Sequence, residues 1–211
     1  MTHEFKKIVE NHLLAKKQGL KTVLATVVAL DGSSYRKPGV RMLIIENAEM
    51  IGAVSGGCVE KDILRQSESV FKTGIAKMMT YDGRYRLGCE GVLYILIEPF
   101  NPKNDFYISF ENAINKRVDF QIKSFYTKEV GDGNDIGSVF YCNNKSHAFS
   151  ENTLEFYSEM CFEEQLSPCF KLMIFGAEHD AVTLCQLASF NGWEVTVVSG
   201  PLESKTIDNF P

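Results

Sequence analysis

A chain of 211 residues that is 45% hydrophobic can bury one core of ordinary size or two small ones, and its formal net charge of −5 argues against the basic stripe of a nucleic-acid binder. No apolar run approaches the roughly 18 residues of a membrane-spanning helix, and the amino terminus lacks the unbroken apolar core of a secretory signal. The expectation is a soluble cytoplasmic protein that touches neither membrane nor nucleic acid.

The first predicted element is an amphipathic helix, with Phe5, Ile8, Val9, His12, Leu13 and Leu14 near one face. From Lys21 to Pro102 the pattern is strand and turn. "KTVLATVVAL" reads as a buried strand closed by the Asp31-Gly32 turn, "VRMLII" as the next strand, "ENAEM" as a turn and "IGAV" as a third strand. Val59, Ile63, Val70 and Phe71 recur at helical spacing up to a stop at Gly74. "IAKMMTYD" and "GVLYILIEPF" complete this part as strands, the second ended by Pro99 and Pro102. Residues 101–168 are polar and aromatic, with a short helix near Phe110 to Asn115. Strands are expected there at "DFQIKSFYT" and "GSVFYC", separated by the turn-rich "EVGDGNDIG". After Pro168 an apolar strand, a glycine turn, a helix and a second apolar strand read as the opening of a doubly wound parallel unit.

The expected architecture is therefore α/β in two parts. An N-terminal mixed-sheet domain occupies residues 1–100, residues 101–168 continue and connect it, and residues 169–211 begin a Rossmann-like parallel α/β domain. That last part has too few strands to bury both faces of its sheet, so it is expected to be incomplete. Its exposed apolar surface points to a homo-oligomer, a dimer in the simplest case.

Three glycine-rich turns carry the chemistry. In "AVSGGCVEKD" a strand leads through Ser55, Gly56 and Gly57 to Cys58 at a helix amino terminus. Glycines there leave main-chain N–H groups uncovered, the helix dipole favours an anion, and a thiol gains thiolate character. Cys58 reads equally as a small buried residue. Glu60, in the first turn, reads either as an orienting or protonating group or as dipole complementarity. In "RLGCEG", Cys89 lies between Gly88 and Gly91, immediately before a strand. "DGSSYRKPGVR" offers Ser33, Ser34 and Tyr35 as hydroxyls and Arg36, Lys37 and Arg41 as cations, a set suited to an oxyanion. Together the turns point to a pocket for an anionic ligand beside an exposed thiol. The six cysteines show no CxxC pair, are expected as free thiols, and form no familiar zinc spacing. No metal site is assigned directly.

"GSSYRKPGVRM", "GAVSGGCVEKD" and "LGCEGVLYILIEP", in this order, resemble the XdhC/CoxI family, and "LMIFGAEHDAVTLCQLASFNGWEVTVV" is similar to the start of its C-terminal Rossmann-like domain. The resemblance implies an accessory protein that binds the molybdenum cofactor and assists its sulfuration and insertion into a xanthine dehydrogenase-type enzyme. Its partners would be the apo molybdenum hydroxylase and a sulfur donor protein. Ser33, Ser34 and Arg36 are then expected to hold the cofactor's phosphate, with Ser55, Gly56, Gly57, Gly88, Gly176 and His179 also at cofactor-binding positions. Cys58 and Cys89 become candidate contacts for molybdenum or for sulfur in transit, and with Glu60 the candidate catalytic groups.

Three departures from the family pattern bear on this. Glu178 stands where the family has the second glycine of Gly-Ala-Gly-His-Asp, Ser199 where it has an acid for a ribose, and Glu90 where it often has glycine. The first two count against NAD(P) and so against an NAD(P)-dependent oxidoreductase, which stays as an alternative. The others are a thiol-redox protein cycling Cys58 with Cys89, and a structural domain with packed cysteines. His179, at a strand–helix turn, reads as a ligand contact or as a helix cap beside Asp180.

Overall fold

The structure, a computed structural model, describes residues 2–55, 57–85, 90–150, 160–201 and 205–211, with Cys58 and Tyr85 described through their backbone alone. The chain divides into two compact units, His3–Ser167 and Pro168–Pro211. Among the described residues no helix is long and apolar enough to cross a membrane.

In the first unit α1 (Thr2–Lys17) precedes β1 (Thr22–Asp31), β2 (Arg41–Ile45), β3 (Met50–Gly52), α2 (Cys58–Thr73), β4 (Ala76–Asp82) and β5 (Val92–Pro99). Residues 101–167 supply α3 (Asn104–Lys116), β6 (Phe120–Tyr126), β7 (Gly131–Gly133), β8 (Gly137–Cys142), β9 (Lys145–Ala148) and β10 (Met160–Leu166). The first sheet runs β3-β2-β1-β5-β4-β7, the second β10-β6-β8-β9. The class is α/β, but the sheet expected to be mixed is antiparallel at every pairing described. Its unbroken apolar strands have another cause: both faces are covered. On one face Val59, Ile63 and Val70 of α2 pack onto Val23, Ala25, Ile44 and Ile95. That helix stops where Gly74 turns left-handed (φ 71°) and donates its N–H to the Val70 carbonyl.

The other face meets α1, α3 and the second sheet through a phenylalanine-rich core, in which Leu24, Leu43 and Ile45 pack with Phe5, Phe100 and Phe106. Edge-to-face rings dominate it, such as Phe5–Phe110 (5.5 Å, 86°) and Phe106–Phe140 (5.3 Å, 82°). Two polar assemblies are buried in this region. His12, 2% exposed, bonds Thr22 Oγ1 through Nδ1 and Tyr107 Oη through Nε2, each at 2.7 Å. Thr22 donates its own proton to the Phe100 carbonyl, so Nδ1 carries hydrogen and Nε2 accepts from the tyrosine. Burial, helped by the charge of Lys16, lowers the His12 pKa to about 4. Glu98, 2% exposed, accepts the Ser138 N–H on Oε2 at 2.7 Å. Burial raises its pKa to about 7 against the opposing pull of Ser138 and Arg41.

The second unit is β11 (Lys171–Phe175), α4 (His179–Phe190) and β12 (Glu194–Val198), the two strands parallel with Lys171 opposite Glu194 and Phe175 opposite Val198. Ile174, Ala181 and Cys185 form its small core, and Met173, Phe175 and Phe190 stay exposed.

Candidate functional site

The turn after β1 and the turn before β5 meet backbone to backbone. A Cβ on Gly91 would stand 2.6 Å from the Ser33 carbonyl oxygen and 3.0 Å from that of Asp31. One on Gly32 would stand 2.7 Å from the Glu90 carbonyl oxygen. The third turn joins them around a cavity of about 70 Å³ lined by Ser34, Tyr35, Arg36, Ser55, Val59 and Gly91, with Tyr81, Gly83 and Leu93. Segments far apart in sequence thus converge on one cavity, and Gly32 and Gly91 are the positions that permit the contact. Gly91→Ala is expected to cost about 1–3 kcal/mol by overpacking, read as a lowered urea midpoint. An unchanged midpoint would show that the turns are not pressed together.

Glu60 organises the turn before α2. Its Oε1 accepts the Ser55 N–H at 2.6 Å, and its Oε2 accepts the Ser55 hydroxyl at 2.9 Å and the Gly57 N–H at 2.7 Å. Burial pushes its pKa up, but these bonds and the N–H of Glu60 itself outweigh it, so the carboxyl lies below its ordinary value. Glu60 is therefore an ionised clamp, not a proton donor near neutral pH. Gly57 caps α2 at φ 115°, a left-handed conformation that favours glycine. The expectation that the glycines leave main-chain N–H groups uncovered is corrected at Gly57, whose N–H is bound to Glu60, as is that of Ser55.

On the cavity's other side Arg36 keeps a buried Nε without a hydrogen-bond partner among the described residues. Its guanidinium lies 5.4 Å from the Tyr35 ring centre, and the Arg36 backbone N–H donates to Ser34 Oγ at 3.4 Å. Ser33 is exposed and contributes backbone at the Gly91 contact. Arg41, a cation of the same motif in the sequence, points elsewhere: it is buried against Phe5 and ion-paired with Glu164 at 2.5 Å. Tyr81 and Gly83 line the cavity without a sequence signal, because their motif-free strand end reaches it only through the fold. Gly56, the Cys58 side chain, Gly88 and Cys89 lie outside the described residues.

In the second unit Gly176 (φ 113°) donates its N–H to the Val198 carbonyl at 2.8 Å, tying the two strands. His179 is the exposed first residue of α4, and Glu178 holds the capping position before it. Among the described residues no group of three or more His, Cys, Asp or Glu side chains is placed to hold a metal ion.

Residues 15–82, which carry the turn after β1 and the turn before α2, match the model of the XdhC and CoxI family. The chain is 29% identical to a probable xanthine dehydrogenase subunit from Bacillus subtilis (strain 168), covering 84% of this chain and 59% of that protein. A solved structure of a xanthine dehydrogenase from Bacillus halodurans, 22% identical, shares the fold at a TM-score of 0.69 over 90% of this chain and 61% of that one. The chain thus spans about three-fifths of the length of these relatives.

Proposed function

We propose that this chain is an accessory protein that binds the molybdenum cofactor and assists its sulfuration and insertion into a xanthine dehydrogenase-type molybdenum hydroxylase. The observation that carries the reading is the meeting of Arg36, Ser34, Ser55 and Gly91 at one cavity. A volume of about 70 Å³ equals the share of about two water molecules. That suits a phosphate-sized head and is too small for a pterin. Arg36, with its unpartnered Nε, fits the phosphate; Cys58 and Cys89 are the proposed thiol contacts for molybdenum or sulfur. When bound, the cofactor supplies the molybdenum centre of the receiving enzyme. Arg36 and Ser34 would grip the phosphate, and Glu60 holds the turn that presents Cys58. The proposed partners are the apoenzyme, a sulfur donor protein and a second copy of the chain. The similarity to relatives named as a xanthine dehydrogenase, or as one of its subunits, supports the first of these.

The test is cofactor retention: reduced protein is mixed anaerobically with molybdenum cofactor, freed of excess, and assayed for bound molybdenum and pterin. Arg36→Ala is expected to weaken retention some 30-fold, from about 2 kcal/mol for a charge-assisted hydrogen bond. Cys58→Ala and Cys89→Ala should lose molybdenum before they lose pterin. Folded wild-type protein that retains neither overturns the reading.

A further inference from the structure

A second cavity, of about 550 Å³, lies where the carboxyl ends of α1 and α2 approach the start of β1. It has the size of a small-molecule site. It is separate from the three-turn cavity: Pro99 and Phe100 line it at one end of β5, whereas Gly91 and Leu93 line the other cavity at the opposite end.

Its charge is one-sided. Lys16, Lys21 and Lys72 line it and, among the described residues, no aspartate or glutamate does, in a chain with 27 acidic and 22 basic residues. Among the described residues the ammonium groups have no carboxylate partner. Lys16 reaches Asn101 Oδ1 and Lys21 the Phe71 carbonyl, both at 3.4 Å. Helix ends explain part of this, since Lys16 and Lys72 sit in the last turns of α1 and α2. Each helix end carries about half a negative charge, so three cations leave the cavity mouth positive. Beneath them Leu20 and Phe71, both half-buried, give the cavity an apolar side over the buried Val23 and Phe100. The His12 ring also lines the cavity, with both its nitrogens already bonded.

We propose that this cavity binds a small organic anion: a flat apolar body against the Leu20 and Phe71 side, and a phosphate or carboxylate head at Lys21 and Lys72. A head that pairs with the lysines alone would not need the apolar wall, and an uncharged ring would not need the lysines.

Phosphate esters and carboxylates share this chemistry, and the test separates them. The His12 ring signals of the full chain, identified by their loss in His12→Asn, are followed by NMR during titration with phenyl phosphate, benzoate, inorganic phosphate or phenol. At least one of the first two should move these signals saturably at millimolar concentration; the tighter of them names the head group. Inorganic phosphate and phenol should bind about tenfold more weakly or worse. The double variant Lys21→Glu/Lys72→Glu, and salt raised from about 0.05 M to about 0.5 M, should each weaken binding about tenfold. Both lysines are at the surface, and unchanged far-UV circular dichroism will show that the variant folds. Three results would overturn the proposal: no shift with either organic anion, equal binding of phenol or inorganic phosphate, or equal binding by the charge-reversed variant.

Discussion

Glu98→Gln is expected to grow more stable relative to the parent as pH rises from 4.5 to 7, by about 3 kcal/mol in total. The folded carboxyl titrates near pH 7 because burial disfavours its charge, whereas in the unfolded chain it titrates near 4.5. Between these values the folded state holds a proton that the unfolded state has released, so the parent loses stability as pH rises. That loss is complete once pH passes 7, and glutamine, which carries no titrating proton, does not suffer it. Ser138 bonds the carboxyl and Arg41 acts on it through its charge, so the substitution has its own offset at every pH. The change in the difference with pH is therefore what matters. Urea unfolding followed by far-UV circular dichroism, in half-unit pH steps, measures it. A difference that stays flat would mean that Glu98 is not buried as a neutral acid.

His12→Asn should tilt the other way. Burial holds the folded imidazole near a pKa of about 4 against 6.5 for the unfolded chain. Stability from neutral His12 is fully present above pH 6.5 and is lost as pH falls towards 4. The parent should lose about 3 kcal/mol over that interval through this ring, and the asparagine variant should not. Between pH 4.5 and 6.5 the two groups oppose each other at about 1.4 kcal/mol per pH unit each. Their contributions cancel in the parent, so each substitution exposes the slope of the other group. Two variants with slopes of the same sign would refute the pair of assignments.

Much of the fold was legible because it rests on local signals. The Asp31-Gly32 turn, the helix from Val59 to Gly74 and the proline-ended strand at Pro99 all follow from periodicity and punctuation. The strand direction was not legible: a run such as Arg41–Ile45 is wholly buried whether its partners are parallel or antiparallel. β7, inside "EVGDGNDIG", was missed because Gly131–Gly133 has no apolar pattern and pairs only at the edge, with Ala76 to Met78. β10 was hidden by the adjacent glutamates of "MCFEEQL", which a strand at the edge of its sheet tolerates. At the site, Arg36 and Ser34 were legible as an oxyanion set, but Arg41, five residues after Arg36, was not separable from them. Only the pleat sends it into the core to meet Glu164, more than a hundred residues away. His12 looked like one more residue on an amphipathic face, since its partners Thr22 and Tyr107 come from two other elements.

The clamp formed by Glu60 has a consequence for selectivity. A glycine turn at a helix start ordinarily collects whatever hard oxyanion is abundant, sulfate as readily as phosphate. Here the protein's own carboxylate has taken two of the N–H groups that would receive such an ion, and it contributes a negative charge that repels another. Background oxyanions are thereby disfavoured at the turn before α2, while the Arg36 side of the cavity carries the opposite charge. The two sides of one small cavity thus differ in charge, with a cation at Arg36 and an ionised carboxylate held behind Ser55.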